Sequence, residues 1–122
     1  MTFRACFAIL LSMIIARRLL TVNAGSMQHI VEVRVFAPVA SGVDFSCSYE
    51  IDWPGHVERM AVFGIDSAQA LILELSAIGS ALYASDYHEK GQLKWTDEGR
   101  GYGFPVASTL RDLLVGYDAR FF

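Results

Sequence analysis

The residues of this chain that can carry chemistry stand apart from the partners they would need. The histidines are His29, His56 and His88, and the cysteines are Cys6 and Cys47. No two of them stand at metal-ligand spacing, so no metal centre is expected. Cys47 as a nucleophile needs a histidine brought beside it by the fold. It alternates with polar residues, which places it on an apolar face as a small hydrophobe with little thiolate. No Gly-x-Ser-x-Gly elbow occurs.

Gly99-Arg100-Gly101-Tyr102-Gly103 invites a nucleotide reading. It lacks the lysine and hydroxyl residue of a phosphate-binding loop, and no helix starts directly after it. A glycine-rich loop without a cofactor is expected, with Arg100 and Tyr102 as partner contacts, because these types are enriched at binding hot spots. Asp86, Glu89, Asp97 and Glu98 flank the last strand without a visible proton-transfer partner. They read as a solvated face, with Asp97 and Glu98 placed to steer a basic partner. No catalytic, cofactor-binding or metal-binding residue is assigned, and the chain is read as non-enzymatic.

The elements that position these residues follow from hydropathy and length. At 122 residues the chain suits one domain. Apolar residues make up 53 % and charged residues 19 %, enough apolar surface to offset the entropy of ordering. Ten basic against thirteen acidic side chains give a net charge of −3, which argues against a nucleic-acid partner.

Phe45, Cys47, Tyr49 and Ile51 alternate with Ser46, Ser48, Glu50 and Asp52, the pattern of a half-buried antiparallel strand with one wet face. Trp53-Pro54-Gly55 turns it into a fourth strand running to Ile65. Two strands precede this hairpin: Ile15 to Val22, and His29 to Phe36 with Val31, Val33 and Val35 on one side. Asn23 to Ser26 and Pro38 to Gly42 are read as breaks.

Asp66 and Gln69 form an Asp-x-x-Gln capping box that opens a helix. Leu71, Leu75, Ile78 and Leu82 repeat at helical spacing, and Glu74 is the one charged residue from Ser67 to Ser85. Such a helix should be covered on more than one side, by the sheet and by the C-terminal segment or a second chain. A short strand from Gln92 to Thr96 carries the anchor Trp95, and Phe104-Pro105 leads into a short helix capped by Ser108 and stopped by Gly116. Blocks of this kind predict an α+β fold: a mainly antiparallel sheet of four to five strands, one long helix on one face and a short C-terminal helix, in the order ββββαβα.

Residues 1–12 read as an apolar extension, either a misassigned start before Met13 or a targeting segment. The arginines that follow cut the apolar run short of the ~20 residues a membrane span needs. Residues 13–116 form the predicted domain, and 117–122 a tail. A cytoplasmic location is expected, with export the alternative if residues 1–24 act as a signal.

Gly64-Ile65-Asp66-Ser67-Ala68-Gln69-Ala70-Leu71, then Leu82-Tyr83-Ala84-Ser85, Leu93-Lys94-Trp95 and Gly103-Phe104-Pro105 resemble an uncharacterised family of small bacterial proteins, classed as a domain of unknown function. The resemblance implies no activity and no catalytic residue. Some of its look-alikes resemble immunity proteins, which neutralise bacterial toxins. Physically the same residues cap and pack, so Asp66, Gln69, Trp95 and Pro105 are assigned structural roles. The function expected is a protein-interaction domain, an immunity-type inhibitor whose partner is a toxin or a second copy of itself. The alternative is a small-molecule binder or minor enzyme with a pocket between sheet and helix, near Tyr49, Trp95 and Tyr102.

Overall fold

The computed structural model describes residues 13–96 and 100–122. Among the described residues six strands form one sheet: β1 (Ile14–Ala24), β2 (Met27–Phe36), β3 (Val39–Ser41), β4 (Asp44–Trp53), β5 (His56–Gly64) and β6 (Leu93–Lys94). The long helix α1 (Ser67–Tyr83) is followed by a short turn of helix, α2 (Asp86–Glu89). A 3-10 helix (Ser108–Leu113) and a last helix, α3 (Gly116–Phe121), end the chain. The fold is α+β, with every strand pair antiparallel.

The segment Pro38 to Gly42, read as a break, contains β3. Both β2 and β3 lie along the same side of β4, and the register slips by one residue between them. They are two parts of one path, separated at Ala37-Pro38, where proline cannot donate to the ladder. The slip turns the chain over, so β2 presents odd-numbered residues to the core and β3 pairs Ala40 with the inward Phe45.

Val31, Val33, Val35, Cys47, Tyr49 and Ile51 are all buried on the inner face, as the alternation requires. Helix α1 crosses this face over β4 and β5. Its buried stripe is Ala70, Glu74, Ile78 and Leu82, with Leu71 and Leu75 only partly buried. Tyr102, Phe104 and Val106 complete the core, so the C-terminal segment does cover a second side of the helix. At Gly79 the contact is so close that a Cβ would lie 1.8 Å from the Pro105 carbonyl oxygen. Ile72 and Leu73 remain exposed on the rest of the helix.

Asp66 caps as expected: its Oδ1 accepts the Gln69 amide at 2.8 Å. Gln69 reaches back one residue further than a capping box does, its Oε1 accepting the Ile65 amide at 2.7 Å. Two details at the C-terminus differ from the expectation. Ser108 is the first residue of a 3-10 turn and caps nothing, and Gly116 starts α3 inside the stretch 116–121 instead of stopping a helix.

The outer sheet face is wet. Arg34 sits among Glu32, Glu50 and Asp52 at 2.8, 2.8 and 3.1 Å, and Arg59 donates to Glu50 at 2.6 Å. Burial pulls the Glu50 carboxyl up, but its bonds to Arg34 and Arg59 outweigh this and hold it below the ordinary carboxylate value.

Candidate functional site

The loop before Gly103 is drawn onto the fold by two charged groups. Asp118 of α3 is 1 % exposed and accepts three hydrogen bonds. Two come from the backbone amides of Tyr102 and Gly103, at 2.6 and 2.8 Å, and one from the Tyr83 hydroxyl at 2.6 Å. Arg18 of β1 takes the opposite polarity: its Nη1 donates to the carbonyls of Tyr102 and Gly103 at 2.8 and 2.9 Å. The same guanidinium lies 4.1 Å above the Trp95 ring and 4.6 Å from that of Phe104. The peptide backbone of the loop is thus gripped from both sides, donors by Asp118 and acceptors by Arg18.

The glycines explain the pattern that resembled a nucleotide loop. Gly101 has φ +99° and would place a Cβ 2.5 Å from Asp118, and Gly103 has φ +75° with Arg18 and Trp95 equally close. Both are needed for approach to side chains of this chain.

Tyr102, expected to meet a partner, is instead 4 % exposed. Its hydroxyl makes a short hydrogen bond to His88 Nδ1. Burial raises the Tyr102 and Tyr83 phenols well above their ordinary value and keeps the His88 imidazole neutral by lowering its own. The two neutral groups therefore share one proton-bearing contact, in which the His88 tautomer decides which of them donates. Arg100 is exposed and keeps its contact role available, while its carbonyl accepts the Tyr117 amide at 3.0 Å. Asp97 and Glu98 lie outside the described residues, as do residues 1–12. Trp95 stands just past β6 at 36 % exposure, and Pro105 abuts Gly79.

Two concave surfaces flank this clasp. A cleft of about 250 Å3 is lined by His88, Lys94, Trp95, Arg100 and Tyr102. Tyr49 is absent from it, contrary to the expected grouping of Tyr49, Trp95 and Tyr102; that ring is buried beneath α1 and hydrogen-bonds Glu58 at 3.4 Å. A wider groove of about 490 Å3 runs between the end of α1 and the start of β5, lined by Trp53, His56, Glu58, Asp86, Tyr87 and Lys90. Trp53 stacks on Tyr87 at 5.4 Å and donates to Glu58 at 2.9 Å, so the floor of the groove is rigid.

Beside the groove lies the open edge of the sheet. Among the described residues β5 pairs with β4 alone. The strand contains no proline, lysine or register slip, and Val57, Met60 and Phe63 are 43, 49 and 56 % exposed. Its charged residues are engaged within the chain, Glu58 with Trp53 and Arg59 with Glu50. Sequence reasoning did not single out this edge, although the mixed pattern of His56 to Gly64 carries the signal: apolar residues at both parities, with Arg59 the one exposed charge among them.

No helix of the described residues is long and apolar enough to cross a membrane. Among these residues no group of three or more histidines, cysteines or carboxylates is placed to hold a metal ion. No curated protein matches the chain, and no solved structure does. One family model, Domain of unknown function (DUF6968), matches residues 16–106, which takes in β1 from its third residue, the whole of α1, Trp95 and Phe104-Pro105. The chain belongs to this uncharacterised family.

Proposed function

We propose that the protein is a non-enzymatic protein-binding module that takes an extended segment of its partner onto the β5 edge. One observation carries this reading: β5 is nine residues long, unpaired on one side and exposes apolar side chains. Natural sheets blunt such edges with charged side chains, proline, bulges or a covering element; on β5 the two charges, Glu58 and Arg59, are tied back to Trp53 and Glu50, which leaves the free ladder groups as a template for another strand. Strand addition draws affinity from main-chain hydrogen bonds and specificity from alternate side chains. The groove next to the edge supplies a pocket, with the Trp53-Tyr87 stack as its floor. The net charge of −3 favours a basic partner, which suits the toxin-inhibitor form of this reading. Catalysis by the thiol finds no support, since burial pushes Cys47 up to about 12. Photo-crosslinking from β5 tests the proposal.

The cleft beside Trp95 favours a second reading, a small-molecule site with Arg100 at its mouth. Quenching of Trp95 emission by a ligand, lost in Arg100→Ala, supports it.

A further inference from the structure

The single charged residue of α1 points the wrong way for an ordinary amphipathic helix. Glu74 is 0 % exposed while Ile72 and Leu73 on the same turn face solvent. Among the described residues neither carboxylate oxygen meets a donor in full hydrogen-bond geometry, and only the Cys47 thiol and the Phe36 backbone approach it as weak partners. Buried polar groups are almost always satisfied, and a buried unpaired charge is among the costliest arrangements in a fold.

Its surroundings come from the break between β2 and β3. The register slip at Ala37-Pro38 interrupts the ladder opposite Cys47 and Ser48. The groups that reach the carboxyl as weak hydrogen-bond partners are the Cys47 thiol of β4 and the Phe36 backbone at the end of β2. Tyr49 of β4 also faces it, but its hydroxyl is directed to Glu58 of β5, a second carboxylate on the same side of the sheet. The rest of α1 contributes no charge. No cation from these elements offsets ionisation of the carboxyl.

We propose that Glu74 is a proton-controlled latch, holding α1 against the β2–β3 break when protonated and loosening that contact when ionised. The gain on opening is hydration of a charge that meets only a thiol and one backbone group inside. Burial raises the Glu74 carboxyl from its ordinary 4.5 to about 7, so the latch operates between acid and neutral pH. An open state that exposes the carboxyl ionises at the ordinary value. The opening equilibrium therefore rises roughly tenfold per pH unit between 4.5 and about 7 and levels off above. This inference does not depend on the β5 edge.

Cys47 is a built-in reporter, because its thiol is buried under the same contact. In the full chain with Cys6→Ser, the rate of Cys47 modification by a small thiol reagent is measured against pH and divided by the rate for a free thiol. The ratio is expected to climb towards pH 7 and flatten, and to be independent of pH in Glu74→Gln. A flat wild-type profile, or an equal climb in Glu74→Gln, overturns the latch. Carbon NMR titration of the Glu74 carboxyl in the wild-type chain decides the point without any variant at that residue: a midpoint near 7 is expected, and one near 4.5 overturns the proposal.

Discussion

Asp118 accepts the Tyr83 hydroxyl at 2.6 Å, and with the Val115 amide donating to the same hydroxyl oxygen this ties the last helix to the end of the first long one. Tyr83 and Asp118 lie 35 positions apart. Between them run the glycine loop and Phe104-Pro105, whose backbone Asp118 and Arg18 hold in place. The clasp seats Phe104 and Val106 in the core and Pro105 against Gly79.

Asp118→Asn should weaken the fold by about 3 kcal/mol, the scale of losing charge-assisted bonds at a buried carboxylate. The amide offers one acceptor oxygen to three donors and presents an N–H to them in place of the second. Urea unfolding measures the loss, and near-ultraviolet dichroism should change as Tyr83 and Tyr102 lose their fixed positions. A loss under about 0.5 kcal/mol would mean the clasp is dispensable.

Arg18→Lys should not be conservative. Lysine keeps the charge and a nitrogen that can donate to the carbonyls, but gives up the guanidinium face over Trp95 and Phe104. A cost of about 1–2 kcal/mol is expected, with a shift in Trp95 emission. Unchanged emission would show that the stack does not form.

Gly79→Ala replaces the second-worst helix former with the best, a gain of about 1 kcal/mol in an open helix. Here the new methyl meets the Pro105 carbonyl, so a net loss of about 2 kcal/mol or more is expected in thermal unfolding. Stabilisation would show that residues 104–107 do not pack on α1.

Glu74 and Glu50 give stability opposite dependences on pH. The folded-state value of Glu74 is raised, so its contribution is greatest below 4.5, falls as pH rises to about 7 and is constant above. Glu50 is lowered, so what it contributes is present above the ordinary value and lost as acid protonates it in the folded state. Glu74→Gln should therefore be more stable than wild type above pH 7, by a margin on the order of 3 kcal/mol, and the advantage should vanish in acid. Chemical unfolding across this range checks the crossover.

What was legible in the sequence is what local pattern specifies. The alternation around Cys47 and Tyr49 placed β4, and Asp66 marked the start of α1, because strand faces and caps depend on residues close in sequence. β3 was hidden because Pro38 signals a break, whereas the sheet absorbs it as a one-residue slip. Asp118 was unreadable because its burial depends on amides 15 and 16 residues away. The spacing Gly101-x-Gly103 was the available sign that a side chain comes close to the backbone there. Glu74 stands four residues from both Ala70 and Ile78, so the buried stripe could have been read to pass through it. The leucines at 71 and 75 drew the stripe one position aside. Tyr102 was taken for a contact residue from its type, while its orientation is set by His88 and Asp118.

The β5 edge as a binding surface is tested most directly by site-specific photo-crosslinking in the cells that make the protein. A photoreactive side chain is placed at Val57 or Phe63, with Gln28 near the β1–β2 turn as the control. The account expects one discrete adduct, to a partner protein or a second copy, from the β5 positions only, and its loss when Met60→Lys puts an uncompensated charge on the edge. Equal labelling from Gln28, or no adduct from β5 at all, would contradict it.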